Sequence, residues 1–331
     1  MRGTAYALRK RTTLLAVLTL VIAVALTTLL WLWEADHSDF SSDSEFEMAE
    51  LLAYGGEYYH LRRNVETVLV MGVDRFSGEV ERIADSYNND RCADFLALLV
   101  IDHEKKSCSL LQINRDTIAD VTILGVGGRH VGRIQQQIAL SHTYGTGEDD
   151  SCRNTMRSVS ALLGNLTVNH YVCLTMDAVG IVNDMVGGVA LTIPEDLTAI
   201  DPSFTEGAQI VLQAEQALAY VRQRSVLEDS SNEARMRRQE QYLEALFERV
   251  LELMGESDSF AIEALSGLSE HMRSNYDIGT LERTAERLTS YEHGGFYSLK
   301  GTYTVGEHME FYPDEDELTR LLIELFYEKE I

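Results

Sequence analysis

Glu66-Thr-Val-Leu-Val-Met-Gly-Val73 runs directly into Asp74-Arg75, and the fold is read outward from this stretch. A short apolar run rich in β-branched residues reads as a buried strand, and its abrupt end in an acid and a base puts chemistry at the carboxyl terminus of that strand. Two further strands follow, Asp94 to Asp102 and Ser107 to Ile113, joined by the polar turn His103 to Lys106. This hairpin delivers Asn114-Arg115-Asp116-Thr117 at its far end. Between the first strand and the hairpin, Phe76 to Asp90 is polar and ends Asn88-Asn89-Asp90, which predicts a mobile loop.

Helical periodicity covers Ile134 to His142 and Ser151 to Leu163. His170 to Met176 reads as a strand, Asp177 to Met185 as a helix closed by Gly187-Gly188, and Val189 to Ile193 as a strand stopped by Pro194. Helices are expected from Gln213 to Val221, from Glu233 to Met254, over most of Asp258 to Tyr291, and from Leu318 to Tyr327 after the turn Tyr312-Pro313-Asp314. Strands alternating with helices predict an α/β fold, a three-layer α/β/α sandwich around a central mixed β-sheet. No shift in composition splits residues 62–331, so they read as one domain.

The 331 residues are 45% hydrophobic, enough for a large core, and carry a formal net charge of -25. No acid precedes Glu34, whereas Arg2, Arg9, Lys10 and Arg11 do; without those four cations the count is 24 against 53 acids. A body so acidic repels a phosphate backbone, which argues against nucleic acid as a partner. Thr12 to Trp33 is apolar, free of charge and long enough to cross a bilayer as a helix, with Trp31 and Trp33 at its far interface. The cations on its amino side place residues 1–11 in the cytoplasm and the bulk of the chain outside the cell membrane, held by one retained anchor over residues 12–33. Residues 34–61 read as an acidic extracytoplasmic spacer, helix-compatible from Glu45 to Tyr54. Cys92, Cys108, Cys152 and Cys173 show no zinc-like spacing; two disulfides or four buried thiols are both open, with Cys92–Cys152 the preferred pair.

Against that acidic background, five arginines fall between Ala219 and Gln239: Arg222, Arg224, Arg235, Arg237 and Arg238. Arginine offers a planar fork of donors that matches phosphate oxygens two at a time, so the stretch is a candidate phosphate clamp. Arg235, Arg238 and Gln239 share one helix face by their i, i+3, i+4 spacing, and Arg237 points elsewhere. Asp74-Arg75, Arg91-x-x-Asp94 and Arg115-Asp116 sit at or beside strand ends. Any one of these pairs alone would be a surface salt bridge worth about 0–1 kcal/mol. Two carboxylates converging with several arginines are instead what a magnesium-bound pyrophosphate needs. There is no G-x-S-x-G, H-E-x-x-H or nucleotide loop, and the nine histidines are scattered.

Leu69-Val-Met-Gly-Val-Asp74-Arg75, Arg91-x-x-Asp94, Ile113-Asn-Arg115-Asp116-Thr117, Asp184-x-x-Gly-Gly188-Val with Ile193-Pro, Glu215 to Arg224, and Arg235-x-x-Arg238-Gln239 occur in that order. Together they resemble the LytR-CpsA-Psr family over about residues 65–250. The resemblance implies an enzyme of the Gram-positive cell envelope, a phosphotransferase. It would move a glycopolymer, such as wall teichoic acid or capsular polysaccharide, from a polyprenyl pyrophosphate carrier to peptidoglycan, with Mg2+. By the same resemblance Asp74 and Asp94 hold the metal, while Arg75, Arg115, Arg222, Arg224, Arg235, Arg238 and Gln239 engage the pyrophosphate or order its site. A hydrophobic tunnel would take the lipid. Four positions depart from the family pattern. Arg91-Cys-Ala-Asp94 is one residue longer than Arg-Ser-Asp, Asn114 replaces a proline and frees its turn, and Arg133-Ile134-Gln135 stands for Lys-Ile-Asn. Asn232 stands where the family carries an acid, removing a partner or proton acceptor. Hydrolysis of the same pyrophosphate, and a non-enzymatic regulatory role in transcriptional attenuation, are the alternative readings.

Overall fold

Two short strands, β1 (Leu51–Tyr54) and β2 (Glu57–Leu61), pair antiparallel across Gly55-Gly56, whose φ values of 60° and 83° are those of a tight hairpin turn. They belong to a computed structural model that describes residues 50–76, 81–83, 86–229, 231–257, 260–276, 290–306 and 308–330. The helix expected from Glu45 to Tyr54 is corrected over its described part. Leu52 and Tyr54 are half-buried while Leu51 and Ala53 are exposed, a period of two that a strand satisfies. Thr12 to Trp33 lies outside the described residues, among which no helix is long and apolar enough to cross a membrane.

β3 (Val65–Val73) is buried without interruption from Thr67 onward. It pairs antiparallel with β6 (Ala93–Asp102), and β6 pairs antiparallel with β7 (Ser107–Gln112), the hairpin expected from the sequence. The register shifts between Gly72 and Val73, so β3 bends out of its ladder where Asp74 begins. Between β3 and β6, β4 (Glu81–Ile83) and β5 (Ser86–Asn88) form a small ladder, and Asn89 is fully buried. The mobile loop expected from Phe76 to Asp90 is therefore corrected over its described residues. Beyond β7, β8 (Ile118–Leu124) pairs with β9 (His130–Gln137). The helix expected from Ile134 to His142 is in fact the end of β9 followed by a 3-10 turn, Ile138–Thr143.

α1 (Asp149–Leu162), β10 (His170–Thr175), α2 (Asp177–Met185), β11 (Val189–Thr192), α3 (Ala214–Arg222) and α4 (Asn232–Glu256) follow, each close to its expected place, while β12 (Gln209–Leu212), which pairs with β11, is not expected from the sequence. Gly187 and Gly188, with φ of 74° and 94°, donate N–H bonds to Asp184 O (3.0 Å) and Asn183 O (2.8 Å) and close α2. In the segment expected to be mostly helical, α5 (Phe260–Leu268) is followed by a strand, β13 (Met272–Ser274). Residues 277–289 lie outside the described set. β14 (Glu292–Ser298), β15 (Gly301–Val305), β16 (Met309–Pro313), α6 (Glu315–Phe326) and β17 (Tyr327–Lys329) complete the chain, and β17 pairs with the free side of β2.

The result is a mixed α/β fold with a central mixed sheet, in which β10 flanks β3 and β14 flanks β7. The described residues form two compact units, one of residues 50–173 and 295–330, the other of residues 174–294. The larger unit packs Leu69, Met71, Leu96 and Leu98 of the sheet against Val159 of α1 and Phe326 of α6. The ends of β3 and β7 lie in this unit, and the α3–α4 junction lies in the other.

Candidate active site

In the larger unit, the acids and bases expected at strand ends do gather. Asp74 is exposed just past β3 and Asp94 is half-buried at the start of β6, beside Arg115 from the turn after β7, to which it is ion-paired. The turn is held from within. Asn114 Oδ1 accepts from Asp116 N–H at 2.9 Å, Thr117 Oγ1 donates to Asn114 O at 2.7 Å, and Asn114 Nδ2 donates to the Tyr303 hydroxyl. The expectation that Asn114 frees this turn is thus corrected: its side chain replaces the stiffness of proline with an Asx bond. Asp116 is buried, accepting from Gln137 Nε2 at 3.1 Å and standing 3.6 Å from Arg115 Nε, so Arg115 lies between two carboxylates, Asp94 and Asp116.

Cys92 marks how closely these charges converge. Burial pushes its thiol up; Arg115 opposes that shift, and Asp94, Asp74 and Asp90 add to it. Three carboxylates and a guanidinium therefore act on one sulfur. Arg75 pairs with Asp90 at 3.1 Å, both side chains more than half exposed. Arg91 takes a different direction. It is 3% exposed, and its Nη1 donates to Thr146 O at 2.9 Å. Gly147 makes room for it, since a Cβ there would lie 1.7 Å from Arg91 Nη1. Sequence reasoning missed Asn89, which ties this segment down. Its Nδ2 donates to His142 O (2.9 Å) and Ser151 Oγ (3.1 Å), and its Oδ1 accepts from Arg91 N–H (3.0 Å). The Asx bond to Arg91 is local, but no local pattern signals the amide's two partners more than 50 residues away.

In the smaller unit the arginines divide. Arg222 is exposed in the last turn of α3 and Arg224 is half-buried just past it. Arg238 is 2% exposed and donates from Nε to Tyr220 O at 3.1 Å and from Nη2 to Gln223 O; Gln239 Nε2 donates to Val221 O at 3.1 Å. Together they hold the carbonyls at the end of α3, and with them the backbone from which Arg222 and Arg224 project. Burial draws the Arg238 pKa down, against the pull of Tyr220, Glu195 and Asp229. Its Nη1 is buried without a hydrogen-bond partner, and the residue borders a depression of about 300 Å³ lined also by Pro194, Glu195, Ala234 and Gln241. Tyr220, whose hydroxyl bonds Gln241, has its pKa pushed up to about 12 by burial. Arg235 is 5% exposed and donates to Asn232 Oδ1. Asn232 thus fills the partner role of the missing acid as a neutral acceptor. Arg237 is exposed and pairs with Asp229 and Glu233, the outward direction its spacing predicts.

All four cysteines are free, and Cys152 lies against Cys173 and His142, so the preferred Cys92–Cys152 pairing is corrected. The register that sets Val73 opposite Ala93 brings Asp74 and Asp94 to one end of the β3–β6 pair, and hard carboxylate oxygens are the donors magnesium favours, so the chemistry of these residues fits that ion.

The chain belongs to the LytR_cpsA_psr family, whose model matches residues 35–321. It is 26% identical over 262 residues to polyisoprenyl-teichoic acid--peptidoglycan teichoic acid transferase TagU of Enterococcus faecalis, covering 78% of each chain. The structure of protein gbs0355 from Streptococcus agalactiae matches with a TM-score of 0.61 at 20% identity, over 79% of this chain and 88% of that one. TagT bound to LI-WTA matches with a TM-score of 0.57 at 20% identity, over 80% and 91%. At such identities the two structures establish the fold alone.

Proposed function

We propose that this protein is a phosphotransferase that moves a glycopolymer from a polyprenyl pyrophosphate carrier to peptidoglycan. The observation that carries the reading is the ion pair of Arg115 with Asp94 at the strand end where Asp74 also emerges, in a chain of this family. Teichoic acid transferase relatives and the likeness to TagT bound to LI-WTA support a teichoic acid type of glycopolymer. The proposal includes the α/β/α layering, the membrane anchor over Thr12–Trp33 with the catalytic domain outside, and Mg2+ as the cofactor.

Asp74 and Asp94 would hold the ion, which when bound supplies charge that offsets the phosphate oxygens. Arg115 binds the pyrophosphate in the larger unit, and the family motif assigns phosphate binding to Arg222 and Arg224 in the smaller one. Arg75 adds a cation at the rim. Arg235, Arg238 and Gln239 act by ordering α3 and α4, through bonds from Arg235 to Asn232 and from Arg238 Nε and Nη2 and Gln239 Nε2 to backbone carbonyls. A hydroxyl of the peptidoglycan sugar attacks the glycan-proximal phosphorus; the new O–P bond forms as the pyrophosphate bridge breaks, polyprenyl phosphate leaves, and the hydroxyl proton is released to solvent.

The test is an assay of purified full-length protein with lipid-linked glycopolymer and peptidoglycan, with and without a chelator. Peptidoglycan-linked saccharide that disappears on chelation and in Asp94→Ala supports the proposal. Free saccharide alone would make the protein a hydrolase. No turnover of the lipid-linked substrate under any condition would remove the enzymatic reading.

A further inference from the structure

His142, Cys152 and Cys173 meet inside the larger unit, and each is 0% exposed. They come from three elements: the 3-10 turn Ile138–Thr143, the first turn of α1, and β10. The imidazole Nε2 and the two sulfurs all lie within 4.8 Å of one another. His142 Nδ1 stands 2.9 Å from Arg91 O, and a carbonyl only accepts, so Nδ1 carries the proton. Nε2 then presents a lone pair, 3.7 Å from Cys152 Sγ. A ring held through one nitrogen by a backbone carbonyl, with the other turned toward thiols, is how proteins orient a histidine that binds metal.

We propose that His142, Cys152 and Cys173 form a three-ligand site for one borderline-soft d10 cation, zinc(II). Nothing in the glycopolymer reading requires such a site, and it is separate from the carboxylates of Asp74 and Asp94. On binding, each thiol gives up its proton and forms a sulfur–zinc bond, so two protons leave for one ion. Two thiolates and a neutral imidazole then cancel the charge of zinc, and the interior gains no net charge. Copper(I) with the same ligands would leave a buried negative charge. A Cys152–Cys173 disulfide would consume the thiols and leave the Nε2 lone pair facing neither donor nor metal, an orphan acceptor in the core. The site also has a mechanical consequence. Asn89 donates to His142 O and His142 donates to Arg91 O, so an ion there fixes the segment that leads to Cys92 and Asp94.

The experiment is metal analysis of full-length protein purified without chelator, followed by stripping and titration with cobalt(II) as a spectroscopic stand-in. One zinc per chain, a thiolate-to-cobalt charge-transfer band that zinc abolishes, and two protons released per ion are expected. Cys152→Ser and Cys173→Ser should each weaken affinity by roughly ten- to a hundredfold or more, and Cys108→Ser should leave it intact. No bound metal and no cobalt band, with all thiols titrating on denaturation, overturns the proposal in favour of plain buried cysteines. An intact mass two hydrogens light, with a Cys152–Cys173 peptide, overturns it in favour of a disulfide. Should the variants fail to fold, the cobalt spectrum of the unmutated chain decides.

Discussion

The turn after β7 and the junction between α3 and α4 both carry arginines, yet they use them in opposite ways. Arg115 meets a side-chain carboxylate, Asp94, at a site that other charges also reach. Arg238 spends its donors on main-chain carbonyls at the end of a helix, and Arg235 spends one on Asn232. A guanidinium held by carbonyls is a brace, whereas one held by a carboxylate can exchange that partner for a phosphate of like charge and geometry. Four of the five arginines that the sequence groups as one clamp therefore fall into two kinds, buried braces (Arg235, Arg238) and outward cations (Arg222, Arg224). The fifth, Arg237, is an ordinary surface residue.

Substitutions at four positions test that division. Arg222→Ala should lower transfer by roughly 10²–10³-fold, the usual cost of removing one donor to developing phosphate charge. Its denaturation midpoint should shift by less than about 1 kcal/mol in stability, because the side chain is exposed in the last turn of α3. Arg238→Ala should do the reverse. Chemical denaturation should show a loss of about 3 kcal/mol, since it empties a buried volume and leaves the Tyr220 and Gln223 carbonyls unmet. Wild-type stability in that variant would end its role as a brace. Asn232→Ala should cost about 1–2 kcal/mol by stranding an Arg235 donor, read by thermal melting, and Asn232→Gln should not recover it because the amide is displaced. Arg75→Ala should change stability by less than about 0.5 kcal/mol, its pair with Asp90 being solvent-exposed.

How much of this was legible depends on whether a residue answers to its neighbours in sequence or to distant ones. β3, the β6–β7 hairpin and α4 were legible because burial on a sheet or a helix face imposes a period on the chain itself. β9 was not. Val131, Ile134 and Ile138 recur at helical intervals, and because Val131 and Ile134 are about half exposed, no buried face enforces alternation on that strand. The site divides in the same way. Helical spacing correctly put Arg235 and Arg238 on one face and Arg237 on another, but it carries no information about what that face touches, and the Arg238 acceptors lie 15 and 18 residues upstream. The grouping of His142 with Cys152 and Cys173 was invisible for the same reason: the three come together only when α1 packs beside β10.

The pairing of β17 with β2 has a consequence for the order of events as the chain is made. The larger unit is discontinuous, because residues 174–294 interrupt it. A ribosome releases the whole of the smaller unit before the larger one has its last strand, so the inserted unit can fold first while its host waits for the final residues. Closing a sheet between residues about 270 apart is a slow, non-local step. Until it is complete, the open edge of β2 is a pairing surface that a chaperone, or a second copy of the chain, can reach.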